Sequence, residues 1–244
     1  MKKVFPLIIV LALGIGSVNV SAARQSTIST STHSSDEIDV KNFDGVIAGG
    51  PISVIITLGT KEGLRFEGDE EAISTLVGEV KGNKLTIRPK ASWTSWAKKY
   101  ENKKITAYVN AKTLTSITMS GDGSVTVSGT ITAAEFTTTL SGSGSIKATV
   151  EADKITGVMS GSGNVNLSGK ADKASVTLSG SGNYGGKSFT ADEVSVRISG
   201  SGSVNVKTDG SIKATILGSG HVYYTGNPDI EKSGIGSGSV SKMK

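Results

Sequence analysis

Residues 136–146 read FTTTLSGSGSI, and the tetrapeptide at their centre, SGSG from Ser141, returns along the chain at near-constant spacing. It is SGDG at Ser120, SGSG again at Ser160, Ser179 and Ser199, LGSG at Leu217 and IGSG at Ile235. The intervals are 21, 19, 19, 20, 18 and 18 residues. A fixed period is the first signal to test, because it decides the architecture. The second place is always glycine (Gly121, Gly142, Gly161, Gly180, Gly200, Gly218, Gly236), and so is the fourth. Three apolar columns keep register with the phrase. One directly precedes it: Met119, Leu140, Met159, Leu178, Ile198 and Ile216, with Gly234 as the exception. A second lies two residues beyond the last glycine: Val125, Ile146, Val165, Tyr184, Val204, Val222 and Val240. A third stands five residues before the phrase: Phe136, Ile155, Ala174, Val194, Ile212 and Ile230.

Within each copy the apolar residues alternate, as in FTTTL at Phe136 and VSVRI at Val194. Period two means a strand with one buried and one wet face. Threonine, valine and isoleucine also suit strand rather than helix. The glycine pair supplies a corner, since glycine takes positive φ and lets backbone approach backbone. A period of about 19 residues is too short for a βαβ unit, which needs roughly 30. It suits one rung of a β-solenoid. Rungs stacked at ~4.8 Å put seven copies into a rod about 30–35 Å long. The expectation is an all-β, right-handed parallel β-helix in which equal columns become vertical ladders.

Composition agrees with thin stacked coils: there are 32 glycines, and aromatics are only 5% of the chain. Glycine-rich chains can be disordered, but such segments lack aliphatics at constant register. Residues 1–22 have the layout of a secretory signal, with Lys2 and Lys3, the apolar run Phe5–Val18 and small residues at Val20-Ser21-Ala22 for cleavage before Ala23. The apolar run is short for a membrane span. The mature chain is expected to carry no transmembrane helix. There are no cysteines, so neither disulfides nor a lipidated cysteine stabilise or anchor the product. The formal charge of +5 falls by two once Lys2 and Lys3 are removed, and no dense basic stripe speaks for nucleic acid.

Residues 23–35 are a polar, serine- and threonine-rich leader in which His33 is expected to be solvated. From Asp36, VKNFDGVIAGGPISVIITLG gives a strand, a glycine turn and the alternating run Ile52, Val54, Ile56, Leu58. Strands are expected near Leu64–Glu67 and Lys84–Pro89, with helical turns over EEAISTLV between them and a turn at Gly82-Asn83. Residues 36–115 thus read as irregular N-terminal rungs and 116–244 as the repeats.

The succession FDGVIAGGPISVIITLG, RFEGDEEAISTLVGEVKGNKLTIRPK and a terminal run of SGSG copies resembles the head GIN domain family, whose members are described as auto-transporter adhesins. The resemblance covers about residues 36–244. It implies an exported bacterial protein with a β-solenoid-like fold, and it supplies no catalytic residues to carry over. Only Ser239–Lys244 follow the last copy, which leaves no room there for a translocating membrane barrel.

Residues 90–104, KASWTSWAKKYENKK, interrupt the pattern. Trp93, Trp96 and Tyr100 fall at i, i+3 and i+7, one face of a short helix. Together with Lys98, Lys99, Lys103 and Lys104 they are the candidate ligand-binding set, the aromatics for sugar faces and the lysines for acidic groups. The alternative is that the aromatics plug the solenoid and the lysines are its wet face. The serine-glycine edge could match a repetitive polymer or simply be a hydrogen-bonded corner. Only Asp122 supplies an acid to a glycine turn, so calcium repeats of the aspartate-rich kind are not expected, and no metal or other cofactor is. Glu151, Asp153, Asp172, Asp192 and Glu193 recur at 19–20-residue spacing among lysines, a mixed-charge face rather than an acid–base pair.

These readings describe a non-enzymatic, exported envelope module, periplasmic or surface-exposed, that meets a polysaccharide or protein partner. A self-associating scaffold, a homo-oligomer, is the alternative. A polysaccharide-active β-helix enzyme is the third.

Overall fold

The computed structural model describes residues 33–34, 37–99 and 103–243; the secretory-signal reading, most of the leader and Tyr100 lie outside them. The described chain is mostly β, a solenoid with an irregular N-terminal portion. Its elements are β1 (His33–Ser34), β2 (Gly45–Gly49), β3 (Ser53–Leu58), β4 (Gly63–Gly68), α1 (Glu70–Ser74), β5 (Leu76–Lys81), β6 (Lys84–Pro89), α2 (Trp93–Lys99), β7 (Ile105–Ala111), β8 (Ser116–Ser120) and β9 (Ser124–Gly142). Then follow β10 (Ser145–Gly161), β11 (Asn164–Gly180), β12 (Asn183–Gly200), β13 (Ser203–Lys207), β14 (Ser211–Gly218), β15 (His221–Thr225), β16 (Asp229–Ile235) and β17 (Ser239–Lys242).

Each repeat is one rung with two limbs, one leading into the glycine corner and one leaving it. On the first limb Met119, Leu140, Met159, Leu178, Ile198 and Ile216 pair in sequence across parallel strands. On the second, Val125, Ile146, Val165, Tyr184, Val204, Val222 and Val240 do the same. The ladders read from the sequence are physical columns, and most of their members are buried in one continuous core. The two intervals longer than 19 have structural causes. The 21-residue copy holds a register shift where β9 pairs β10, beside Gly129 at φ +100°. The 20-residue copy carries its extra length in the Gly185–Ser188 stretch of β12, where the pairing with β11 shifts between Val165 and Gly169.

The two glycines of the corner serve different ends. The second-place residues lie at positive φ, +112° at Gly142, where a side chain is strained. The fourth-place residues do not, but a Cβ on Gly144 would sit 2.6 Å from the Gly123 carbonyl oxygen of the rung before. The corner amides are spent on that neighbour: the Ser162 and Gly163 N–H groups both donate to Gly142 O at 3.1 Å.

The N-terminal region departs from simple succession. β2 is flanked by β6 on one side and β8 on the other, and β3 by β7 and β9. The rung built by residues 45–58 therefore lies between rungs built by 84–111 and 116–128. Its corner, Gly49-Gly50-Pro51, is a disguised copy of the repeat. Ala48 pairs with Met119, Ser53 with Ser124 and Val54 with Val125, and Gly50 takes φ +88° beneath Gly121. The end is closed by antiparallel strands, β5 on β6 and β4 on β7, with the short β1 pairing β4.

The helix expected over EEAISTLV is shorter than the sequence suggests. It ends at Ser74, and Leu76 and Val77 begin β5. Thr75 stops it, its N–H reaching back to the Ala72 and Ile73 carbonyls and its hydroxyl donating to Ala72 O at 2.6 Å. Gly82 and Asn83, at φ +53° and +61°, form the two-residue turn from β5 to β6. Positive φ at both positions is the hairpin geometry that matches strand twist.

At the other end of the described stack, every residue of β16 is exposed. The inward positions that hold Ile212, Ala214 and Ile216 in β14 hold Ile230, Lys232 and Gly234 in β16. Leu217 and Ile235, which stand in the serine column, are 44% and 81% exposed.

Candidate functional site

The Trp/Lys insertion occupies the corner of the end rung. β6 leads into it and β7 leaves it, as the limbs lead into and leave a glycine corner elsewhere. Its helix, α2, is tied to α1 and its C-cap by side-chain bonds. Trp96 is buried, 5% exposed, and its indole N–H donates to Thr75 Oγ1 at 2.7 Å. Lys99 Nζ meets Glu71 Oε1 at 2.6 Å, and Lys103 Nζ meets Asp69 Oδ2 at 2.7 Å. Asp69 also caps α1, accepting from the Ala72 N–H at 3.1 Å. The Lys103 hydrogen bond, and then the Ala72 amide, hold the Asp69 carboxyl below the ordinary value of 3.8, and Asp69 raises Lys103 in turn. Lys98 and Lys104 are exposed. Trp93 starts α2, and Tyr100 lies outside the described residues. The structure thus brings Trp96, Lys99 and Lys103 together with α1, and leaves Lys98 and Lys104 to solvent.

The serine edge is exposed on the outer side of the corners, at Ser141, Ser160, Ser179 and Ser199. Its backbone amides are committed to rung-to-rung bonds, so it offers no free amide cradle to a phosphate.

Of the recurring acids, Glu151, Asp153, Asp172 and Asp192 line a concavity of about 750 Å³ with Thr132 and Lys170. Lysines of adjacent rungs meet them or their neighbours: Lys154 with Glu135 at 3.3 Å, Lys170 with Glu151 at 3.9 Å and Lys173 with Glu193 at 2.9 Å. Among the described residues no group of His, Cys, Asp and Glu is arranged to hold a metal ion. His221 stacks on Tyr223 at 5.7 Å between ring centres and shares a 2.9 Å hydrogen bond with Ser239 Oγ.

One surface was not singled out by sequence reasoning: the outer face of the limb that leaves each corner. Its residues are the outward members of SIKAT, NVNLS, NYGGKS, SVNVK, HVYYT and SVSK. The signal was available, because period two assigns every polar residue between the buried aliphatics to that face.

The fold and these surfaces define a stacked-repeat scaffold whose outward columns run in register from the corners as far as the shifts beside Gly129 and Gly185. The chain belongs to the head GIN domain family: residues 42–228 match the model described as "Putative auto-transporter adhesin, head GIN domain". A crystal structure of a "putative lipid binding protein" from Parabacteroides distasonis is 26% identical, with a TM-score of 0.68 over 88% of this chain and 98% of that one. A "putative adhesin" from Bacteroides fragilis is 22% identical, with a TM-score of 0.74 over 88% and 98%. A second "putative adhesin" from Parabacteroides distasonis is 21% identical, with a TM-score of 0.69 over 87% and 97%. No curated protein matches the chain. Among the described residues no helix is long and apolar enough to cross a membrane.

Proposed function

We propose that the chain is an exported envelope adhesion module that binds an extended partner with its stacked outward side chains and performs no catalysis. The observation that carries this reading is the register. Ser145, Asn164, Asn183, Ser203, His221 and Ser239 follow one another on successive rungs, so the exposed surface repeats as a polymer repeats. The family description, an auto-transporter adhesin, supports it, and the reading of residues 1–22 as an export signal is part of it. The pairing of the recurring acids with lysines speaks for a solvated surface rather than an acid–base pair. In the insertion, the inward indole of Trp96 favours a structural plug, and Lys98 and Lys104 are the part able to meet an acidic group. Probing an array of glycans and envelope components with the mature protein tests the reading. Selective retention of one polymer class is the expected result, and no retention of any component sinks it.

A second reading is favoured by the exposed edge of β16 with Ile230 and Ile235. An unpaired strand edge is a template for another chain. Light scattering on the purified protein separates this self-associating scaffold from a monomeric binder.

A further inference from the structure

We propose that the outer face of the limb leaving each corner is a binding face for an acidic polysaccharide, lying along the stack across the rungs from Lys147 to Tyr223. This deepens the adhesion reading and rests on it. Three independent features of the face converge.

The first is charge. The six strand segments SIKAT (145–149), NVNLS (164–168), NYGGKS (183–188), SVNVK (203–207), HVYYT (221–225) and SVSK (239–242) contain no aspartate or glutamate, but they contain Lys147, Lys187, Lys207 and Lys242. Elsewhere the outward lysines sit among acids, as Lys154, Lys173 and Lys213 do with Glu135, Glu193 and Glu231. Lys242 donates to Asn227 Oδ1 at 2.8 Å, and the acid-free face leaves the Lys147, Lys187 and Lys207 ammonium groups for a partner that brings the negative charge.

The second is the amides. Asparagine is a poor strand residue, and four occupy outward strand positions here: Asn164, Asn166, Asn183 and Asn205. Internal hydrogen bonding does not account for them. Asn164, Asn166 and Asn205 bond to no described side chain, and Asn183 only accepts from Ser203 Oγ at 2.5 Å. A side-chain amide carries donors and an acceptor together, which suits hydroxyl and carboxylate groups alternating along a sugar chain.

The third is shape. Gly185 takes φ +94° at the register shift of β12, and a Cβ on Gly186 would sit 3.0 Å from Asn166 Oδ1. The widened rung opens a concavity of about 490 Å³ lined by Lys147, Asn164, Asn166, Asn183, Lys187 and Asn205. Along the column, Asn205 pairs with Tyr223, whose ring stacks with His221. An aromatic surface beside hydrogen-bonding groups is the usual furniture for the apolar face of a sugar. The amides and rings distinguish this face from a merely basic one, and the sparse lysines set it apart from a nucleic-acid surface.

The test is affinity electrophoresis of the full mature chain through gels containing polygalacturonate, with dextran as the neutral polymer and phosphatidylglycerol vesicles in a parallel flotation assay. Five variants are compared: Lys147→Thr with Lys187→Thr, Asn166→Thr with Asn205→Thr, all four changes together, Lys98→Ala with Lys104→Ala as the competing surface, and Lys154→Thr with Lys213→Thr, whose lysines already face glutamates, as the control pair. Threonine suits an exposed strand, so melting temperatures should hold. The expected result is retardation by polygalacturonate but not dextran. Each of the first two variants should weaken it by about tenfold, the quadruple variant should abolish it, and the control pair should leave it unchanged. Retention that survives the quadruple variant overturns the face while the adhesion reading stands. Loss confined to the Lys98/Lys104 pair moves the site to the insertion. Vesicle flotation without polysaccharide retardation overturns the ligand class.

Discussion

The Tyr184 hydroxyl lies 2.6 Å from the Thr138 hydroxyl in the interior of the stack, and the tyrosine ring reaches it through the space where Gly157 has no side chain. Thr138 pairs with Gly157 on the next rung, so three residues from three rungs make one fitted polar contact in an aliphatic core.

Tyr184→Phe keeps the ring and strands the Thr138 hydroxyl. It is expected to cost about 1–3 kcal/mol, read as a lowered urea midpoint. Gly157→Ala places a methyl group against the Tyr184 ring and hydroxyl, and should cost at least as much, because both strands at that position are held by their neighbours. Combining the two changes should not add, since both act on the same contact.

Burial also holds the Tyr184 phenol above the ordinary tyrosine value of 10.0. The unfolded chain gives up that proton near pH 10 and the folded chain does not. Stability is therefore full below that pH and falls as pH rises beyond it. Urea titrations at about pH 9 and pH 11 should show the drop, and Tyr184→Phe should reduce it.

The glycine corners are expected to be unequal in tolerance. Gly142→Ala meets both positive φ and the Gly121 carbonyl oxygen 2.7 Å from the new carbon. Gly82→Ala has positive φ, +53°, but open space around it. Thermal unfolding should show the first losing several degrees more than the second, whose cost is that of a left-handed residue alone, about 1–2 kcal/mol.

The cap on the N-terminal end should loosen in acid. Lys103 and the Ala72 amide depress the Asp69 carboxyl, so its contribution is present above the unfolded value of 3.8 and is lost as pH falls through the lower folded value. Asp69→Asn keeps a capping oxygen but not the charge. It should flatten the acid response of the fluorescence of Trp96, which is packed against Thr75.

Most of the stack could be read from the seven tetrapeptides, because two columns of glycines and three of aliphatics left no other period. The 45–58 segment was legible as a strand, a glycine turn and an alternating run, but its kinship with the repeat and its place in the stack escaped for a physical reason. Gly49-Gly50-Pro51 makes the same corner with proline in the place of Asp122, and its vertical neighbours lie far along the chain, where self-comparison at a fixed interval does not look. β5 was hidden because Ala72, Ile73, Leu76 and Val77 fit a helical stripe, and only Thr75 marks the change. The insertion was visible as a break. Its inward indole was not, since tryptophan at a corner serves equally as a plug or as a platform until its partner, Thr75, is known.

The layer made by residues 45–58 is enclosed by layers made from 84–111 and 116–128, so its two faces are finished only after some seventy further residues have been supplied. Assembly from the amino end, one coil upon the previous one, is thereby barred. Long-range closure of this kind is slow. The early segment must wait, unsheltered, for its covers to arrive, and a chain cut short before residue 128 would leave it without a floor.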